Sequence, residues 1–231
     1  MKSAVIIFPG SNRERDIRAA LQRATGRQPI LVWHRDTTLP PSDLIVLPGG
    51  FAYGDYLRCG AMAAHSPIMN EVRDRAAKGT PVLGICNGFQ ILCESGLLPG
   101  ALMRNAGLKY ICKPVHIRVE NTNTPYTQQL TKGEVLEIPI GHMEGNYFCD
   151  EQIRAELKDQ ERIIFRYVTL SGEVTAEANP NGSIESVAGI CNEGRNVLGM
   201  MPHPERASEP ELGMTDGVRI FDSLVSALVT K

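Results

Sequence analysis

The first half of the chain alternates short unbroken apolar runs with longer mixed segments. SAVIIFPG is such a run, closed by Pro9-Gly10, and predicts a buried strand. SNRERDIRAALQRATG predicts a helix, with Ser11 or Asn12 as its cap and Gly26 as its stop. PILVWH and DLIVLPGG predict two more strands, residues 66–79 a helix, and TPVLGIC another buried strand. NGFQILCESG then predicts a helix closed by Gly96. Continuous apolar strands alternating with helices indicate an α/β fold, with a mostly parallel central sheet covered by helices on both faces.

The second half changes character. YICKPVHIRVENT and EVLEIPIGH predict antiparallel strands, as does the pair IESVAGICN and NVLGMMP. These form an antiparallel extension of the sheet, and a last helix is expected over residues 215–229. No linker is long enough to divide the chain, so residues 1–231 are expected to form a single domain. A length of 231 residues, 42% of them hydrophobic, suits one soluble α/β domain. The net charge of −2 gives no electrostatic case for a nucleic-acid or membrane partner. The apolar run at the amino terminus is too short for a signal peptide and no later stretch is long enough to span a bilayer, so a cytoplasmic location is expected.

Six cysteines stand at positions 59, 86, 93, 112, 149 and 191, with no CxxC spacing of the kind that marks a zinc site. In a reducing compartment they are expected as free thiols, mostly serving as small buried apolar groups. One tetrapeptide, GICN, occurs twice, and its two contexts differ. Around Cys86 an apolar strand runs into Gly84-x-Cys86-x-Gly88 and then a helix, which is the thiol form of a nucleophile elbow. There the glycines permit a turn in which a Cβ would clash, and the sulfur meets a helix amino terminus whose free N–H groups favour a thiolate. Around Cys191 the following NEGR supplies only a turn between strands, so Cys191 is read as packing on a half-buried hairpin strand.

Two further motifs complete a chemical constellation. PHPE at 202–205 follows the strand NVLGMM, and its two prolines stiffen the loop around His203. Such a loop suits a general base, with Glu205 accepting from the imidazole and setting its tautomer. LPGG at 47–50 also follows a strand, so the Gly49 and Gly50 N–H groups are expected to face the crevice at the strand's carboxyl end. Gly50 N–H and Asn87 N–H would together form an oxyanion hole.

GICNGFQ, LPGGF and PHPER resemble the motifs of the triad-type, class I glutamine amidotransferases. FAYGDYLRCGAMA, RNAGLKYICKPVHIRVENTNTPYT, HMEGNY and PNGSIESVAGICNEGRNVLGMMPHPER are similar to the glutaminase subunits of the phosphoribosylformylglycinamidine synthases, from Phe8 to about Phe221. The resemblance implies that Cys86 is the nucleophile, His203 the general base and acid, and Glu205 the orienting carboxylate. It places Gly50 and Asn87 at oxyanion positions and Gln90 at a glutamine-contacting position, and Gly49 is expected as a further substrate-binding residue. His142 and Glu144 are carried over as substrate contacts, although GHMEGNY stands here for a commoner AHGEGRY. Arg13 stands where many relatives have a cysteine after GSN.

The chemistry so implied is attack of the Cys86 thiolate on the side-chain amide of L-glutamine, then release of ammonia and glutamate. No metal or other cofactor is expected on this chain. It lacks GxxxxGK[ST] and GxGxxG, so ATP and Mg are expected on a partner. The resemblance implies a large ATP-dependent synthetase subunit and often a small third subunit, which together convert formylglycinamide ribonucleotide to its amidine in purine biosynthesis. The Tyr53–Arg58 loop is expected to cover the glutamine site or to face that partner. A γ-glutamyl peptide hydrolase, an elbow-type cysteine hydrolase and a non-catalytic regulatory subunit are the rival readings. The missing signal peptide, Asn87 in place of a histidine after the cysteine, and the intact Cys86, His203 and Glu205 weigh against them in turn.

Overall fold

A computed structural model describes residues 1–229. The first half carries β1 (Ser3–Ile7), α1 (Glu14–Thr25), β2 (Ile30–Trp33), β3 (Leu44–Leu47), α2 (Ala61–Ala64), α3 (Ile68–Ala77), β4 (Val82–Ile85) and α4 (Asn87–Glu94). Next come β5 (Ala101–Met103), β6 (Ile111–Val119), β7 (Val135–His142), β8 (Asn146–Phe148), α5 (Glu151–Asp159) and β9 (Ile163–Val168). The chain returns through β10 (Val187–Cys191) and β11 (Val197–Met200) to α6 (Val218–Val229). Nine strands form one sheet in the order β2-β1-β3-β4-β11-β10-β9-β6-β7, while β5 and β8 form a separate antiparallel ribbon.

The strands from β2 to β11 pair in parallel, and those from β11 to β7 pair antiparallel. Burial follows this division. β3, β4 and β11 are buried along their whole length because helices or loops cover both faces, whereas β6 and β7 alternate buried and more exposed positions. β2 lies at the edge and exposes Ile30, Leu31 and Trp33. No described helix is long and apolar enough to cross a membrane.

The start of α1 differs from the expectation. Arg13, not Ser11 or Asn12, is the capping residue, and no side chain caps the helix. The Ser11 hydroxyl is taken by the Phe8 N–H at 3.0 Å, and the N–H groups of Asn12 and Arg13 go to the Gly49 carbonyl. This segment therefore tethers the loop after β1 to the loop after β3. Gly26 ends α1 in the left-handed conformation, with its N–H on the Gln22 carbonyl.

Cys191 also differs in degree. It lies on a hairpin strand as expected, but β10 is buried throughout because it runs inside the nine-stranded sheet. Its N–H donates to the Arg162 carbonyl, its own carbonyl accepts from Arg162, and burial pushes its thiol up to about 11 against the opposing pull of Arg195 and Arg162.

Candidate active site

Three neighbouring parallel strands, β3, β4 and β11, end side by side, and each delivers one motif at its carboxyl end. β3 leads into Gly49-Gly50, β4 into Cys86, and β11 into Pro202-His203. This is the crevice in which open α/β sheets bind ligands. Residues more than a hundred positions apart meet there because β11 enters the sheet directly beside β4, with Cys86 N–H on the Met200 carbonyl at 2.8 Å.

The turn at Cys86 is strained, with φ 51° and ψ −106°. Such a conformation costs about 1–3 kcal/mol in a residue with a Cβ and persists only where the surroundings enforce it. Close packing enforces it here. A Cβ on Gly88 would stand 2.0 Å from the Leu47 carbonyl oxygen, and one on Gly84 would stand 2.7 Å from Gly88. α4 is thus pressed onto the sheet, and the sulfur is presented at its amino terminus. The Cys86 thiol donates to the Gly141 carbonyl at 3.8 Å.

His203 and Glu205 are both buried, and the imidazole Nδ1 lies 2.6 Å from Glu205 Oε1. The carboxylate accepts from Nδ1, which leaves Nε2 for the sulfur. Burial alone would lower the imidazole's pKa, but the charges of Glu205 and Cys86, and hydrogen bonding to both, push it up to about 10. Pro204 opens a short 3-10 turn over Pro204–Arg206, and the His203 N–H is anchored on the Pro139 carbonyl of β7 at 2.9 Å. Gly49 lies against the ring, leaving no room for a side chain.

The backbone N–H groups of Gly50 and Asn87 have no internal acceptor among the described residues. Side-chain amides link the loops around them. Asn87 Oδ1 accepts from the Ala52 N–H at 3.1 Å, Asn87 Nδ2 donates to Gln90 Oε1 at 2.8 Å, and Gln90 Nε2 donates to the Glu144 carbonyl at 2.6 Å. Asn87 and Gln90 therefore brace the loop after β3 against the turn at residues 142–146.

That turn rests on a buried polar network with no signature in the local sequence. Asn181 Oδ1 accepts from both the N–H and the hydroxyl of Ser183, so its Nδ2 must face Tyr167 and His142. At 3.1 Å from that donor, His142 Nε2 is an acceptor, and the ring carries its proton on Nδ1. Burial and the neighbouring His203 hold His142 down to about 3, in its neutral form. Its ring lies under Gly145 and is 2% exposed, so it presents no polar atom to the crevice. Asn105 completes the support, donating to the His142 carbonyl and accepting from Gly145 N–H. Asn105 and Asn181 are the residues that sequence reasoning missed, since an asparagine among turn residues reads as ordinary loop chemistry.

The loop after Gly50 is held at both ends. Tyr53, Asp55 and Leu57 all have positive φ, and the Tyr53 hydroxyl reaches His34 Nδ1 at 2.8 Å. Tyr56 and Leu57 are exposed, while Arg58 pairs with Glu94. Asp55, Cys59 and Glu144 bring their ligand atoms within 4.8 Å of one another, the one such group among the described residues. Burial first and the two carboxylates next push the Cys59 thiol far up, so it acts as a hydrogen-bond donor between them. Asp55 is raised to about 6, chiefly by burial. Beside His203 a cavity of about 210 Å³ opens, walled by Arg13, Tyr110, Cys112, Gly141 and Arg206.

Comparison with known proteins agrees with this geometry. Residues 1–214 match the model of the CobB/CobQ-like glutamine amidotransferase domain. The chain is 65% identical over 231 residues to phosphoribosylformylglycinamidine synthase subunit PurQ of Koribacter versatilis, covering 100% of both chains. It is 56% identical over 229 residues to the PurQ subunit of Nitrobacter winogradskyi, covering 99% of this chain and 98% of the relative. A chain in the structure of PurLQS from Thermotoga maritima superposes with a TM-score of 0.86 at 44% identity, covering 98% of each chain. The chain belongs to the glutamine amidotransferase family, in the branch of the PurQ subunits of phosphoribosylformylglycinamidine synthase.

Proposed function

We propose that this chain, acting as one amidotransferase domain, hydrolyses L-glutamine and hands the ammonia to a synthetase partner. The Cys86 thiolate attacks the side-chain amide carbon, and the Gly50 and Asn87 N–H groups receive the charge that builds on the amide oxygen. His203, oriented by Glu205, gives its proton to the departing nitrogen. The C–N bond breaks, leaving a γ-glutamyl thioester and ammonia. His203 then takes a proton from water, whose attack releases glutamate and restores the thiol.

The observation that carries this reading is the union of Cys86, His203 and Glu205 at adjacent strand ends, with the imidazole buried between a sulfur and a carboxylate. None of these steps draws on a cofactor bound to this chain. The PurQ names of the relatives and the PurLQS assembly of the Thermotoga maritima protein support a large synthetase subunit and a small third subunit as partners. ATP and Mg act on the synthetase, which converts formylglycinamide ribonucleotide to formylglycinamidine ribonucleotide, and the complex works in the cytoplasm.

The test is ammonia release from glutamine by wild type and Cys86→Ala, with and without the synthetase. Loss of turnover in Cys86→Ala and a higher wild-type rate in the complex support the proposal. Turnover that survives in Cys86→Ala refutes it.

A further inference from the structure

The outer edge of β7 passes along the active site. Pro114 and Pro139 stand opposite each other in the β6–β7 ladder, and neither has an N–H to give. They therefore form a pair that exchanges no hydrogen bonds, and the pairs two residues away, among them Cys112 with Gly141, are of the same kind. The backbone groups of Glu137, Pro139 and Gly141 thus point away from β6. Their partners agree with this. Glu137 N–H donates to Asp216 Oδ2 at 2.8 Å, the Pro139 carbonyl accepts from His203 N–H at 2.9 Å, and the Gly141 carbonyl faces the Cys86 thiol at 3.8 Å. One strand edge anchors the general base and, two residues on, meets the nucleophile.

The Gly141 carbonyl has no donor besides Cys86 among the described residues. Once the sulfur gives up its proton, this oxygen is left bare beside a reacting atom in a buried residue. Three groups on the amide carbon of glutamine come next to the sulfur when it attacks. The oxygen gathers negative charge, which a carbonyl oxygen repels, and the methylene is no hydrogen-bond donor. The nitrogen, with its two N–H bonds, is the group that fits.

We propose that the Gly141 carbonyl recognises the amide nitrogen of glutamine, accepting one of its N–H groups while the Gly50 and Asn87 N–H groups hold the oxygen. The inference rests on the glutaminase reading above and deepens it, naming the contact that selects an amide over an ester or an acid. An N–H held on Gly141 also limits rotation about the C–N bond, so the nitrogen lone pair keeps one direction as it takes the proton from His203. Acceptor and proton donor stay in register because His203 is anchored on the same strand edge, at Pro139. Glutamate has an oxygen in place of that nitrogen, so the same carbonyl disfavours the product.

The experiment uses the reconstituted complex of this chain with its synthetase and small subunit. Glutamate release is measured from L-glutamine, from the γ-hydroxamate of L-glutamate and from its γ-methyl ester. The leaving groups of the two analogues, NHOH and OCH3, match in heavy atoms and differ in the N–H. An ester is the easier of the two for a thiolate to attack in water, so reactivity alone favours it. A site built around an N–H leaves its acceptor unpaired with the ester, and kcat/KM for the ester should fall about tenfold or more below that for the hydroxamate.

An ester turned over within about threefold of the hydroxamate, or faster, overturns the proposal. Exclusion of both analogues overturns it too, because selection then rests on size. Failure of the glutaminase reading itself shows separately, as turnover of glutamine in Cys86→Ala.

Discussion

The imidazole of His203 lies so close to the Gly49 α-carbon that a methyl group there would stand 2.7 Å from Cε1. Two motifs far apart in sequence thus fit each other through the absence of a side chain. Gly49→Ala should displace the ring from the sulfur and lower kcat by about 10²-fold, the usual cost of a displacement near 1 Å. The glutamine KM should change little. Steady-state kinetics of the complex check this.

The raised pKa of His203 carries a pH dependence whose sign is fixed. Its folded value, about 10, lies above the ordinary 6.5, so the protonated ring stabilises the fold fully below about 6.5. That contribution is lost as pH rises towards about 10. In Glu205→Gln the largest upward influence is gone, and the melting temperature should fall less between pH 7 and pH 10 than in wild type. NMR titration of the His203 ring should show its pKa lowered in Glu205→Gln and, to a smaller extent, in Cys86→Ala.

The Asn181 amide assigns His142 a positioning duty. His142→Gln keeps an acceptor for Asn181 and should leave the shape of the pH–rate profile unchanged, because the native ring stays neutral throughout the working range. Asn181→Leu strands the acceptor on His142 and the Ser183 N–H, while the Ser183 hydroxyl keeps the Gly145 carbonyl as its acceptor. At about 1–3 kcal/mol for each stranded group, it should lower unfolding stability by several kcal/mol. Urea unfolding and pH-dependent kinetics read the two effects separately.

Tyr53 ties the left-handed loop to the body of the domain through His34 and Ser66. Tyr53→Phe removes both contacts and keeps the ring. Hydrogen exchange of residues 51–58 should accelerate by about tenfold, with the protection of β4 unchanged.

The sequence carried the fold and the meeting of Cys86, His203 and Glu205 for identifiable reasons. The buried strands β1, β3, β4 and β11 are short, largely apolar runs, and Gly49-Gly50, Cys86 and Pro202-His203 each follow closely on one of them, so local pattern alone puts these motifs at strand ends. The start of α1 was misread because the Ser11 hydroxyl satisfies Phe8 N–H, a partner that local capping rules do not consider. The full burial of Cys191 depends on the strands that flank β10, which alternation within β10 does not reveal. The support under residues 142–146 draws on Asn105 and Asn181, joined to it only by tertiary contacts.

The covalent step is the centre of the account, and the two GICN sequences provide an internal control. The complex is mixed with glutamine, quenched in acid within one turnover, digested and analysed by mass spectrometry. A γ-glutamyl adduct on the peptide containing Cys86, with none on the peptide containing Cys191, is the predicted result. An adduct on Cys191, or rapid turnover with no adduct on Cys86, would contradict it.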